Sequence, residues 1–297
     1  MTKLKVILIL VACLSGVSTV WAQVSLTKGG SGADEFELVK SGKAAKLYYD
    51  IRDFEVIKKS AHLFSNDVRL VTDREIAVSE AVEEMSSNCI IVGTLGHNEL
   101  IDKLILKKKL DVSTLKDKWE SFHIEVVRNP FPGVKKALVV VGSDRRGTAY
   151  GLFSISESIG VSPWYWWADA PVAKRKELCL KVQKMTSEEP TVKYRGIFIN
   201  DEDWGLLRWA KTNFEKERGN IGPKTYAKVC ELLLRLKANY LCPAMHEAST
   251  AFNKIPENKL VADSFAIVMG SVHCEPLLFN NASEWDKKTM GDCNLKM

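Results

Sequence analysis

Three short clusters of acidic and imidazole side chains stand out in the second half of the chain: Asp201, Glu202 and Asp203; His246 and Glu247; His273 and Glu275. Each follows an apolar run, respectively Tyr194–Ile199, Asn239–Met245 and Ala266–Gly270. Carboxyls and imidazoles gathered in one place suit acid–base work on a polar substrate. Cleavage of a glycosidic bond, for example, needs one carboxyl to protonate the leaving oxygen and a second to activate water or attack directly. A histidine beside them binds a hydroxyl or a carboxylate. Simpler roles compete with this chemistry. An acidic residue after a strand also serves as a solvated turn or a helix N-cap, and a histidine there often only packs. Neither H-E-x-x-H nor C-x-x-C occurs, so neither a metal site nor a redox motif is expected. Only the repetition at three successive positions lifts the chemical reading above the structural one.

The elements between the clusters explain how they would meet. Tyr226, Val229, Leu233 and Leu236 share one helical face between the first two runs, and Leu260–Phe265 reads as a short helix before the third. Three βα units, each with polar groups just past its strand, form the opening of a (β/α)₈ barrel, whose active site lies at the C-terminal strand ends. In a three-stranded piece, Ile197, Ile199, Leu241, Ile267 and Met269 are expected to lack inner partners. Upstream, the fold class is α/β. Ala45–Tyr49, Cys89–Val92 and Leu138–Val141 read as strands and Phe122–Arg128 as a half-exposed one. Phe54, Ile57, Ala61 and Phe64, then His97–Lys107, then Ala149–Ile159 read as helices. The expected organisation is a leader over residues 1–22, an α/β domain over 23–186 and a partial barrel over 187–297, divided at Ser187-Glu188-Glu189-Pro190. The loop Ser143–Gly147 can offer backbone N–H groups and arginines to an anion, but it lacks the glycine patterns of a nucleotide site. Residues 161–172 hold three of the eight tryptophans and read either as a packing plug between the two parts or as a sugar platform.

Composition sets the outer bounds. Of 297 residues, 46% are hydrophobic and 27% charged, enough apolar material for a sizeable core. Lys3 and Lys5, the run Val6–Ala12 and Val20-Trp21-Ala22 form a secretory signal, so the mature chain should be exported and begin at Gln23. A second reading takes Leu10-Val11-Ala12-Cys13 as a bacterial lipobox with Cys13 lipidated. Losing Lys3 and Lys5 lowers the formal charge from +5 to +3, too near balance to indicate nucleic acid. No segment after the leader is apolar enough to span a membrane. Cys89 and Cys230 read as buried thiols, and Asn281-Ala282-Ser283 as a chance sequon.

The strings Gly196-Ile-Phe-Ile-Asn-Asp-Glu-Asp-Trp204, Asn239-Tyr-Leu-Cys-Pro-Ala-Met-His-Glu247 and Ser271-Val-His-Cys-Glu-Pro276 closely resemble glycoside hydrolase family 115, the xylan α-1,2-glucuronidases. Gly142-Ser-Asp-Arg-Arg-Gly-Thr-Ala-Tyr-Gly151 is similar to the segment preceding that family's barrel. The resemblance covers essentially the whole mature chain. It implies removal of glucuronic acid, or its 4-O-methyl ether, from xylan side chains with inversion, without a cofactor, by an enzyme that in this family is often a homodimer at full length. It also implies roles: Asp201 and Asp203 as catalytic or water-positioning carboxylates, His246, Glu247, His273 and Glu275 lining a uronic-acid pocket, and Asp144 and Arg145 reaching in from the first domain. Two departures bear on this. Cys242 stands where the family carries tryptophan, and the family's chains continue well past the equivalent of Met297. The expectation is therefore a fragment that does not hydrolyse glucuronoxylan usefully, with a folded first domain and a protease-sensitive half-barrel. The alternative is a secreted, non-catalytic carbohydrate-binding protein that uses its tryptophan-rich segment.

Overall fold

A computed structural model describes residues 24–29, 32–80, 85–200, 202–272, 280 and 284–291. The leader residues 1–22 and the sequon lie outside the described residues, as do Cys13, Cys274 and Cys293.

The first part builds two sheets. Strands β1 (Val24–Thr27), β2 (Glu35–Lys40), β3 (Lys43–Ala44) and β9 (Leu178–Val182) pair antiparallel in the order β1-β9-β2-β3. A mixed sheet combines β4 (Lys46–Tyr48), β5 (Val78–Ser79), β6 (Asn88–Thr94), β7 (Phe122–Arg128), β8 (Lys136–Gly142) and β10 (Met185–Thr186) in the order β10-β7-β8-β6-β4-β5. Strands β8, β6, β4 and β5 run parallel, while β7 and β10 are antiparallel to their neighbours. Helices α1 (Glu55–Thr72), α2 (Glu99–Leu106) and α3 (Arg145–Ser158) follow β4, β6 and β8.

The unbroken apolar runs of β6 and β8 follow from this topology. Ile90, Val92, Leu138 and Val140 point into a core shared with α1 and α3, while Cys89, Ile91, Val139 and Val141 point into a second core with Ile101 and Leu104 of α2. A parallel sheet covered on both faces has no polar face to alternate with. Strand β7 departs from expectation for the same reason. It is buried along most of its length rather than half-exposed, and its polar residues pair with one another's surroundings. His123 Nδ1 lies 2.8 Å from the Thr186 hydroxyl, and Glu125 lies 3.2 Å from Lys184.

The second part is a parallel three-stranded sheet, β11 (Gly196–Phe198), β12 (Tyr240–Cys242) and β13 (Val268–Met269), in that order. A Cβ at Gly196 would collide with the Tyr240 carbonyl, so only glycine admits this pairing. Helix α4 (Leu206–Trp209), a π-turn over Ala210–Phe214 and helix α5 (Pro223–Arg235) separate the first two strands, and α6 (Pro256–Ser264) separates the last two. Helix α6 starts earlier than the apolar spacing suggests because Pro256 occupies its first turn, where no backbone N–H is needed.

Ile199, Leu241 and Ile267 are buried together with Tyr226, Val229 and Leu233 of α5, and Met269 packs against them. The expectation that these strand residues lack partners is thus corrected by one position. They face the helix layer, whereas Phe198, on the alternate phase, is 41% exposed; Ile197, at the sheet edge, is 38% exposed.

The two parts are tied by one continuous core and two buried polar junctions. Glu120 accepts from Arg146, Arg195 and, at 2.6 Å, the Asn239 amide; Arg146 also reaches the Ala266 carbonyl at 3.2 Å. Farther along, Arg235 of α5 donates to both oxygens of Asp67 on α1 at 2.8 and 2.9 Å. The tryptophan-rich segment packs here. Trp166 and Trp167 make edge and tilted contacts with Trp209 and Phe214, the Trp167 indole donates to the Lys228 carbonyl, and Tyr165 donates to Glu231. Of the aromatic side chains in this segment only Trp164 is markedly exposed, at 46%.

Helix α5 has an N-cap supplied from a distance. The buried Glu215 carboxylate accepts the amides of Gly222, Lys224 and Thr225 at 2.9, 3.2 and 2.9 Å, and the Thr225 hydroxyl at 2.5 Å. Replacing Glu215 by alanine leaves those donors unpaired, and we expect a loss of about 1–3 kcal/mol in urea unfolding. A change within about 0.3 kcal/mol would mean that water replaces the carboxylate.

The cysteines yield a second stability prediction. Burial pushes the Cys89 and Cys230 thiols from 9.0 up to about 12. Above about pH 9 the unfolded chain releases these protons while the folded chain keeps them. The stability they represent is therefore fully present below that pH and is lost as pH rises toward about 12. Urea midpoints should fall on alkaline titration, and Cys89 and Cys230 should resist a thiol reagent until the chain unfolds. Rapid labelling of either thiol in the native protein would contradict this.

Candidate active site

The C-terminal ends of β11 and β12 bring two of the predicted clusters together. The chain leaves β11 through buried Ile199 and enters a loop whose Glu202 carbonyl accepts the Leu207 amide at 2.7 Å, starting α4. The Glu202 side chain is wholly buried. Its Oε1 accepts from the His246 backbone N–H at 2.5 Å and from the Ser249 hydroxyl at 2.8 Å. Among the described residues its Oε2 has no hydrogen-bond partner, and it lies 3.9 Å from His246 Nδ1. Glu202 thus clamps the loop after β12 onto the loop after β11. Neither a solvated turn nor an N-cap describes it.

Asp203, the next residue, places Oδ1 3.0 Å from His246 Nδ1. A carboxylate only accepts, so Nδ1 carries the proton and Nε2 is the ring's other functional atom. The pair is partly exposed, at 40% for the Asp203 side chain and 26% for His246. An imidazole oriented by a carboxylate can move a proton or donate to an anionic group. Trp204, immediately after Asp203, is 82% exposed, and Glu247 is exposed as well. The strand-end loop is further supported by the Asn280 amide, which donates to the Met245 carbonyl at 2.9 Å. Among the described residues no group of three or more His, Cys, Asp or Glu side chains could hold a metal.

Asp201, His273 and Glu275 lie outside the described residues. Asp144 and Arg145 are described, and they do not join His246. Asp144 Oδ1 caps α3 by accepting the Arg146 and Gly147 amides, each at 2.9 Å, and Oδ2 accepts the Glu120 amide at 2.8 Å. Those amides are the ones an anion would have used. Glu120 in turn holds Asn239 and Arg195, which precede β12 and β11. Asp144 therefore stands by the N-terminal ends of the parallel strands, while His246 stands at the C-terminal ends. Arg145 lies over the Phe54 ring, 5.7 Å from its centroid.

Sequence reasoning missed Ser249 and the burial of Glu202. Ser249 carries no motif, and only its position three residues after His246 hints at a shared turn. Buried and exposed acids in an Asp-Glu-Asp run look alike in sequence.

Comparison with known proteins shows the family of the chain. The profile of Glycosyl hydrolase family 115 matches residues 187–296. A solved structure described as a family GH115 4-O-methyl-alpha-glucuronidase, BtGH115A, with specificity for decorated arabinogalactans, is 38% identical to the chain with a TM-score of 0.72. The match covers 84% of this chain and 31% of that one, so the chain spans about a third of that protein's length. An N-acetyl-beta-hexosaminidase of Streptomyces plicatus (10% identity, TM-score 0.46, covering 83% of this chain and 44% of that one) and the protein CpGH84D (9%, 0.46, 83% and 35%) are too distant to bear on fold or chemistry. No curated protein matches the chain. These findings place the protein among the glycoside hydrolases. Within them, it belongs to glycoside hydrolase family 115.

Proposed function

We propose that the β11 and β12 strand ends form part of the site of an α-glucuronidase that removes glucuronic acid, or its 4-O-methyl ether, from xylan side chains. The observation that carries this reading is the Asp203–His246 pair, set on adjacent parallel strands and clamped by the buried Glu202. On this reading β11, β12 and β13 open a (β/α)₈ barrel, and Asp201, His273 and Glu275 join the pair at its mouth. Asp203 acts as a catalytic or water-positioning carboxylate, and an inverting site leaves ~6.5–9.5 Å between its carboxyls for water. His246 binds the uronic acid. The BtGH115A similarity supports the substrate class, although decorated arabinogalactan in place of xylan is the natural competitor. Release of 4-O-methylglucuronic acid, measured side by side on glucuronoxylan, aldouronic acids and decorated arabinogalactan, tests it. Retention on these glycans without any release would favour a carbohydrate-binding role.

Export belongs to the same proposal. The secreted product is expected to begin at Gln23 on N-terminal sequencing. A product still carrying Met1 would overturn it, and a lipid-bearing Cys13 would replace it with the lipoprotein reading.

A further inference from the structure

Away from the strand-end site, the first part carries a groove whose charge no role described so far uses. Two cavities, of about 400 and about 550 Å³, meet at Lys109. One runs along β7 past Lys108, Arg128 and Lys184, and the other runs under the Asn129–Lys135 turn past Lys107, Phe131 and Lys135. Six cationic residues line the two cavities against two acids, Asp111 and Glu125. The whole chain has a formal charge of only +5, so this one face holds most of its excess. Among the described residues no ion pair engages Lys107, Lys108, Lys109 or Lys135, whereas Glu125 is already paired with Lys184 at 3.2 Å. The ammonium groups of Lys107, Lys108 and Lys135 therefore remain available to an anion, while that of Lys109 donates to the Asn129 carbonyl at the junction of the two cavities. The Lys107 ammonium lies 5.6 Å from the Phe131 ring centroid, placing an apolar ring face beside a cation.

We propose that this groove binds a uronic-acid-bearing polysaccharide, separately from the strand-end site and in support of it. The inference rests on the proposed function for its choice of polyanion. Three physical features favour an anionic glycan. Carboxylates spaced along a polymer can meet successive lysines without any one of them being buried. The Phe131 ring offers a surface for the C–H face of a sugar. Single-stranded nucleic acid, another polyanion, binds grooves with several stacking aromatics along a basic track, and this groove has one, Phe131. Clustered exposed cations also raise the local concentration of an anionic chain, an effect that salt screens over about 8–10 Å.

The test is affinity electrophoresis of the full chain through gels containing glucuronoxylan or the same polymer with its carboxyl groups chemically reduced to alcohols. The expected result is retardation by glucuronoxylan that fades with added salt, and none by the reduced polymer. The triple variant Lys107→Glu, Lys109→Glu, Lys135→Glu should bind at least tenfold more weakly. A control with Lys58→Glu, Lys211→Glu and Lys216→Glu should bind as the parent does. Asp203→Asn should also keep the retardation, which separates failure of the groove from failure of the catalytic reading. Equal retardation by the reduced polymer, unchanged binding of the triple variant, loss of binding in Asp203→Asn, or tighter binding of a DNA duplex in competition would each overturn the proposal.

Discussion

Asp203→Asn is expected to depress release of glucuronic acid by about 10²–10⁴-fold, the range contributed by a general acid or base. The measurement belongs in this chain if it turns over, and in a full-length relative carrying the same strings in either case. Asparagine keeps the size of Asp203 and a hydrogen bond to His246, so the fold should survive. What changes is the charge 3.0 Å from His246 Nδ1 and the tautomer that charge selects. His246→Gln should act mainly on substrate binding, raising KM more than it lowers kcat, if the imidazole holds the uronic acid. Glu202→Gln separates support from chemistry. Its carboxylate contacts backbone and Ser249 rather than the open side of the site, so the variant should lose rate only as far as the His246 loop shifts. Near-normal rates in both Asp203→Asn and Asp201→Asn would move the acids elsewhere in the fold.

Arg235→Leu is expected to cost about 3–5 kcal/mol, a large part of an ordinary domain's ~5–15 kcal/mol. The guanidinium is almost wholly buried, bonds both Asp67 oxygens and Glu231, and stacks between the Phe153 and Tyr165 rings at 4.7 Å from each centroid. Burial pushes the Asp67 carboxyl up even with Arg235 beside it. Without the arginine, Asp67 must either stay charged with no partner or take up a proton. The double variant Asp67→Leu, Arg235→Leu should recover much of the loss, because the penalty comes from an uncompensated charge rather than from the missing attraction. Urea unfolding decides it, with limited proteolysis around Ser187–Pro190 as a second readout, since this network joins α1 to α5. A loss below about 1 kcal/mol, or a double variant no better than the single, would mean that water reaches the site.

Local pattern carried much of this protein. The apolar run of β8 and the 4-3 spacing of Ile57, Ala61 and Phe64 formed the elements their spacing implies. Spacing says less about phase and depth. In a three-residue strand a shift of one position exchanges the faces, and there is too little alternation to choose between them. Leu241 was thus assigned to the wrong face, although its burial was legible. Strand β7 looked half-exposed because His123 and Glu125 alternate with apolar neighbours, yet both are buried beside groups supplied by β10 and Lys184.

The sequence by itself determined the family, the alternation of strand and helix from β4 to α3 and from β11 to β13, and the acids and histidine after β11 and β12, because each is written in residues close along the chain; the antiparallel sheet of β1, β2, β3 and β9 was not legible in it. Only the tertiary structure decided how those residues divide the work. Asp203 and His246 are 43 positions apart and meet only because β11 and β12 pair in parallel. Glu202 and Asp203 are adjacent, yet one is sealed beneath the loop after β12 and the other stands at its surface. Asp144, whose motif pointed to a ligand, is consumed in capping its own helix. Burial and hydrogen-bond partnership come from segments that pack from far along the chain, and no local pattern records them.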